Sequence, residues 1–220
     1  FSKAFDTILH NILITKLEHY GIRGKALDLI ANYLSDRKQY VCIDGMKTEL
    51  LNVVNGVPQG SVLGPLFFLI YINDIVNCLC TCDTPDCMSH CADLASLIIF
   101  ADDTNIFVND CDLISTINKT NLILSKIKPY LEANYLHINL KKSNFIHFSS
   151  PRSKVLLSNF VHFSCSSDKV IIGNFSIKFG NHVLKRVKEA KFLGVIMDEK
   201  LTWVSHIKYL GKKVSSTAGC

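Results

Sequence analysis

No stretch of this sequence is apolar for long enough to cross a bilayer. The longest run, Val62 to Ile72, falls short of the roughly 20 residues a spanning helix needs, and it is followed by Asn73 and Asp74. No membrane contact is therefore expected. A charged-then-apolar signal segment is missing from the start, and no basic targeting run occurs anywhere. There is no initiator Met, and Ser215 to Cys220 close no recognisable element, so the chain is expected to be a fragment of a longer protein. Neither an internal repeat nor an interdomain linker stands out. For 220 residues, one domain with a sizeable core is the default.

Charge is also modest. Charged residues make up 20% and hydrophobic ones 48%, which excludes a disordered tail. The net charge of +5 is compatible with a nucleic-acid partner, but many ordinary enzymes are as basic. The nine cysteines are odd in number and lack a secretory context, so reduced thiols inside a cell are expected. Five of them crowd together as Cys78, Cys80, Cys82, Cys87 and Cys91, beside His90, without the paired C-x2-C knuckles of common zinc sites. A variable solvent-facing loop over residues 77–92 and a structural zinc site are the two readings of that cluster.

Apolar periodicity predicts helices over Ile8 to Tyr20, with Gly21 capping, and over Lys25 to Leu34. Lys38 to Val54 reads as a hairpin turning at Asp44-Gly45, and Val62 to Val76 as a buried helix. Leu94 to Phe100 is a buried strand, Ala101-Asp102-Asp103 a tight turn, and Thr104 to Val108 the return strand. Leu113 to Leu131 is a long helical region that Pro129 should kink. Short strands are expected at Leu136 to Leu140 and Asn144 to Phe148, then a Ser-rich loop or insertion over 149–168. Val170 to Phe179 and Val183 to Met197 add further strands. The sum is an α+β fold with an antiparallel sheet and packed helices.

Asp102-Asp103 carries the chemistry. Adjacent carboxylates repel, which is costly unless a cation sits near them. Magnesium is the natural partner, because it takes hard oxygen ligands and leaves sites for substrate phosphates. Taken alone, however, an Asp pair is more often a solvated hairpin turn.

The pair is not alone. Phe100-Ala101-Asp102-Asp103 resembles the catalytic turn of reverse transcriptases in its non-LTR and group II intron form. Gly56-Val57-Pro58-Gln59-Gly60-Ser61, continued by Leu63-Gly64-Pro65-Leu66, looks like that family's nucleotide- and template-contacting loop and helix. Phe1-Ser2-Lys3-Ala4-Phe5-Asp6 is similar to the stretch that follows the first catalytic carboxylate. Asn139-Leu140-Lys141-Lys142-Ser143 resembles the family's Asn-x-x-Lys-Thr segment, with Ser143 in place of Thr. Lys191-Phe192-Leu193-Gly194-Val195, with Asp198, Leu201, Trp203, His206 and Ile207, resembles the primer-gripping hairpin and its exit into the thumb. Five motifs stand in the family's order across essentially the whole chain, most similar to LINE-type, jockey-like retrotransposon polymerases.

The resemblance implies a polymerase palm over residues 1–210 and a truncated start of thumb or tail over 211–220, with fingers and thumb mostly missing. It implies an RNA-directed DNA polymerase (a nucleotidyltransferase) using two Mg2+ ions, or Mn2+, on an RNA template, a DNA primer and deoxynucleoside triphosphates. The fingers and thumb of the parent protein would be further partners, and the nucleus a plausible compartment. Asp102 and Asp103 would be catalytic metal ligands. Phe5, Gln59, Gly60 and Lys142 would meet the nucleotide, Phe5 excluding a ribose 2′-hydroxyl. Ala101, Phe192, Leu193 and Gly194 would meet primer or template. Phe5 as a core residue, Lys142 as a solvated one and Phe192 to Gly194 as plain packing remain alternatives.

The third carboxylate is expected one residue before Phe1, so the isolated fragment is expected to be inactive. Asp6 cannot replace it: five residues along a strand is about 17 Å and the opposite face. A structural cap or surface pair is the plain reading of Asp6. The alternative function is a decayed or truncated copy that keeps the fold and at most binds nucleic acid.

Overall fold

In the computed structural model, residues 1, 4–79, 95–101, 103–110, 112–149, 161–165 and 176–218 are described. Asp102, the cysteine-rich stretch after Leu79 and the first part of the strand expected over Val170 to Phe179 lie outside them. The chain divides into two compact units, Phe1–Ile75 with Tyr130–His137, and Val76–Pro129 with Ile138–Cys220.

The first unit begins with a short 3-10 turn, Ala4–Asp6, followed by helices α1 (His10–His19) and α2 (Lys25–Leu34). Gly21, at φ +91°, ends α1 as its position suggests, and the Ile22 N–H reaches back to the Leu17 carbonyl at 3.0 Å. The expected hairpin divides into two short antiparallel ribbons. Strands β1 (Lys38–Gln39) and β4 (Leu51–Asn52) pair, as do β2 (Cys42–Ile43) and β3 (Met46–Lys47). Asp44 and Gly45, both at positive φ, form the inner turn.

Helix α3 (Leu63–Ile72) passes into a 3-10 segment, Asn73–Leu79. It buries Phe67, Phe68, Tyr71 and Ile72, while α1 contributes Leu13 and Leu17. The Lys16 ammonium donates to the Tyr71 carbonyl (2.5 Å) and to Asp74 Oδ1 (2.7 Å), which also accepts from the Tyr130 hydroxyl (2.8 Å). A charge this enclosed is tolerable only because it is paired.

The second unit holds a five-stranded sheet in the order β11-β7-β8-β6-β5. Its strands are β5 (Ser96–Phe100), β6 (Asp103–Asn109), β7 (Asn144–Ser149), β8 (Val161–Cys165) and β11 (Lys185–Arg186). Here the expectation of an antiparallel sheet is corrected. Only β5 and β6 pair antiparallel, whereas β6–β8, β7–β8 and β11–β7 are parallel. Two of the three parallel pairs are made by β8, which lies in the stretch read as loop or insertion and enters between β6 and β7. The ribbons β9 (Lys178–Phe179) with β10 (His182–Val183), and β12 (Glu189–Phe192) with β13 (Val195–Asp198), are antiparallel. The α+β class therefore stands, with a mixed sheet.

Helix α4 (Leu113–Ala133) runs unbroken past Pro129. Asp112 caps it, its Oδ1 accepting the Ser115 N–H at 2.9 Å. The strand expected over Leu136 to Leu140 does not form. Tyr135 turns left-handed (φ +53°), and the Leu136 N–H returns to the Leu131 carbonyl at 2.8 Å. Leu136 is buried as part of that helix stop, so its apolar alternation served a cap and not a sheet. Helix α5 (Val204–Ala218) runs across the expected 210/211 boundary.

On β7, the half-buried His147 imidazole is held below its ordinary range, first by burial and then by the Arg186 charge, against an opposing pull from Glu199. The unfolded chain therefore takes up this proton first as pH falls. Stability is expected to decline on acidification below about 6.5, down to the lowered native value. Thermal melts between pH 7.5 and 5.5 should show a steeper loss for the wild type than for His147→Gln. Equal slopes would refute this.

Candidate active site

In the first unit, two segments about 50 residues apart in sequence are fastened together by their backbones. The Val57 N–H donates to the Phe5 carbonyl (2.8 Å) and the Gly56 N–H to that of Ile8 (2.7 Å). Leu9 and Asn55 form an isolated bridge, and His10 Nε2 lies 2.7 Å from the Gly56 carbonyl oxygen. Gly56 permits this approach. It sits at φ +84°, and a Cβ there would fall 2.8 Å from the Asp6 Cα and 2.9 Å from the Phe5 carbonyl oxygen. Gly60 also has positive φ (+80°), but a Cβ there would meet no described residue within 4 Å. The crowded glycine is Gly56.

On this cradle Phe5 is half-buried, its ring 5.3 Å from that of Phe68 on α3. Phe1 approaches Phe68 edge-on at 6.2 Å. Gln59 is exposed, and its Nε2 donates to Asp6 Oδ1 at 2.9 Å. Asp6 is therefore one half of a surface pair. It caps no helix, since α1 begins after Leu9 without a side-chain cap. Ser61 closes the loop onto α3: its hydroxyl donates to the Pro58 carbonyl (2.7 Å) and accepts from the Gly64 N–H (3.0 Å). Sequence reasoning gave Gly56 no role of its own within its motif, left out His10, and gave Asp6 no part near Gln59. The positive φ of Gly56 had a signal in Gly-x-Pro-x-Gly. The other two had none.

In the second unit, Phe100 pairs with Asp103, so Ala101 opens a two-residue connection between the strands. Ala101 takes φ +50°, a left-handed conformation that costs an alanine about 1 kcal/mol and a glycine almost nothing. Backbone strain of this kind is a recurrent mark of functional turns. Asp103 is exposed, and its carboxylate makes no ion pair or side-chain hydrogen bond with another described residue. Its hard oxygen atoms are thus available to a divalent cation, and Asp102 supplies a second carboxylate next to it in sequence. That donor chemistry fits a magnesium-type ion. Among the described residues no cluster of three or more candidate ligands occurs.

Lys142 is exposed, in a turn where its N–H donates to the Asn139 carbonyl at 3.0 Å. The sheet register places this turn. Phe145 on β7 and Ile106 on β6 both pair with Val161, so Lys142 and Asp103 each stand three residues before the same level. Their chain segments enter the sheet at the same end, on strands two places apart.

Phe192 pairs with Val195, which makes Leu193 (φ +42°) and Gly194 (φ +90°) a two-residue turn. Phe192 packs against the core of Ile146, Phe148, Ala190 and Met197, whereas Leu193 and Gly194 are exposed. The tip is exposed, and Phe192 is half-buried beneath it. Beyond the hairpin, Asp198 accepts from the N–H groups of Lys200, Thr202 and Trp203 and from the Thr202 hydroxyl, ahead of α5. Burial alone would raise this carboxyl, and those hydrogen bonds outweigh it and hold it below its usual range.

Among the described residues no helix is long and apolar enough to cross a membrane. Comparison with known proteins matches residues 1–214 to the family described as reverse transcriptase (RNA-dependent DNA polymerase). The chain is 23% identical over 205 residues to the RNA-directed DNA polymerase from mobile element jockey of Drosophila melanogaster, covering 93% of this chain and 20% of that protein. It is 25% identical over 209 residues to the corresponding jockey protein of Drosophila funebris, with coverage of 94% and 20%. Against the Pol polyprotein of the type-1 retrotransposable element R2 of Popillia japonica it is 31% identical over 111 residues, half of this chain and 18% of that one. The chain thus spans about a fifth of the length of these relatives. With residues 1–214 matched, the chain belongs to the reverse transcriptase family, as a reverse transcriptase domain of the non-LTR retrotransposon kind.

Proposed function

We propose that this chain is the palm of an RNA-directed DNA polymerase, extending a DNA primer on an RNA template with deoxynucleoside triphosphates. One observation supports it above the others: the backbone cradle that joins the Phe5–Asp6 segment to the Gly56–Gln59 loop. Residues that must touch one nucleotide have to be neighbours, and this packing makes neighbours of two motifs distant in sequence.

In this reading residues 1–210 are palm and 211–220 the start of the thumb, with α5 running across the junction. Reverse transcriptases generally use divalent metals. Two Mg2+ ions, held by Asp102 and Asp103 with a further carboxylate, would supply charge neutralisation of the phosphates and activation of the primer hydroxyl. Phe5 presents a ring edge to the sugar of the incoming nucleotide and rejects a 2′-hydroxyl by contact. Gln59 and Gly60 meet the nucleotide or template, and Lys142 places a positive charge toward the leaving pyrophosphate. Ala101 keeps the turn small beside the primer terminus. The exposed Leu193–Gly194 tip meets primer backbone, with Phe192 anchoring it from the core.

The test is RNA-templated extension by a polymerase that carries this segment and a carboxylate ahead of Phe1. Phe5→Ala should raise ribonucleotide relative to deoxynucleotide incorporation by about tenfold or more. The ratio is the proper readout, because losing the contact with Phe68 also lowers the amount of folded enzyme without altering selection. An unchanged ratio would make Phe5 a packing residue only. No templated extension by the parent would leave a decayed copy as the better account.

A further inference from the structure

Asp6 and Gln59 stand 53 residues apart, joined by a 2.9 Å hydrogen bond at the surface of the backbone cradle. A carboxylate can only accept, so the Gln59 group that faces it must be the amide nitrogen. The direction of the amide is therefore set by chemistry. One N–H is engaged by Asp6, and the carbonyl oxygen Oε1 points elsewhere.

A glutamine on an exposed loop otherwise samples many rotamers, and fixing it on binding carries an entropic cost. Here the backbone that carries the partner carboxylate is held in place. The Phe5 and Ile8 carbonyls take backbone bonds from Val57 and Gly56, and Gly56 lies against the Asp6 backbone itself.

We propose that Asp6 is a positioning residue for the nucleotide site. By holding the Gln59 amide nitrogen it presents the Gln59 carbonyl oxygen to the ligand, which selects a hydrogen-bond donor, such as a hydroxyl or a base N–H, in preference to a phosphate oxygen. This rests on the polymerase reading above and adds a specificity element to it.

Steady-state single-nucleotide incorporation by the full polymerase tests it. Asp6→Ala and Gln59→Ala should each raise KM for the nucleotide about tenfold with a smaller effect on kcat. The double variant should be no worse than either single one, because the two act as a unit. Asp6→Asn, whose carbonyl still accepts from Gln59, should recover most of the loss.

The decisive variant reverses the bond. Gln59→Glu alone sets two carboxylates together and should bind nucleotide poorly. Combined with Asp6→Asn, the asparagine amide donates to the new carboxylate at position 59, an acceptor again faces the ligand, and KM should return toward the wild-type value. Additive effects of Asp6→Ala and Gln59→Ala, or no recovery in the reversed pair while that protein melts normally, would overturn the proposal. In either case a parent enzyme that extends primers keeps the polymerase reading intact. A parent without templated incorporation would remove both.

Discussion

Replacing Asp102 by Ala, in a polymerase that carries this segment, is expected to lower primer extension by about a thousandfold or more while leaving the melting temperature within a few degrees. Losing a single fixed donor to a developing charge already costs about 10²–10³ in rate. A carboxylate that holds a divalent ion contributes more, because the ion itself is misplaced without it. Asp103→Ala should also be severe. Asp103 is exposed and free of partners among the described residues, so its removal breaks no fold contact there. The turn that carries the pair holds Ala101 in the left-handed conformation (φ +50°) that a two-residue hairpin connection demands. Extension with Mg2+, read beside a thermal melt, checks this. Near-normal activity in Asp102→Ala would end the assignment of the turn as the metal-binding element.

The largest expected effect on stability is at Gly56. Gly56→Ala meets two penalties at once. At φ +84° an L-residue is strained by about 1–2 kcal/mol. The new methyl would also press on Asp6 Cα at 2.8 Å, the Phe5 carbonyl oxygen at 2.9 Å and the Asp6 carbonyl carbon at 3.0 Å. All three are backbone atoms of a segment tied to the same loop by hydrogen bonds, so no flexible side chain can swing aside. A loss of about 2–4 kcal/mol is expected, lowering Tm by roughly 5–15 °C. Gly60→Ala is the control. It shares the positive φ but meets no described residue within 4 Å, so the conformational penalty is the one expected. Comparable melts for the two variants would mean that the cradle is not close-packed.

Much of the local structure was legible in advance. The apolar period from Lys25 to Leu34 marked α2 at its observed bounds, and Gly21 marked the end of α1. Asp44-Gly45 announced a tight turn, because its residue types tolerate positive φ. The strand–turn–strand around Ala101 was readable from apolar runs on either side of two carboxylates. Failures came where one pattern serves two structures. Leu136, Ile138 and Leu140 alternate like a strand, yet Leu136 is spent on stopping α4. The Ser-rich stretch after Ser149 has no strand signature, yet Val161–Cys165 enters the sheet and pairs parallel with both β6 and β7.

The sequence by itself determined the family, the element types with strong periodicity, and the order of the motifs that contain Phe5, Gln59, Asp102 and Asp103. Tertiary structure alone decided that Asp6 holds Gln59, that Gly56 and not Gly60 is the crowded glycine, and that Lys142 enters the sheet at the same end as Asp103. The physical reason is range. Helical period, turn chemistry and caps are set by neighbours within a few residues, so they are written locally. A hydrogen bond across 53 residues, or a strand's choice of partners, depends on where packing leaves two distant backbones, and no local pattern encodes that.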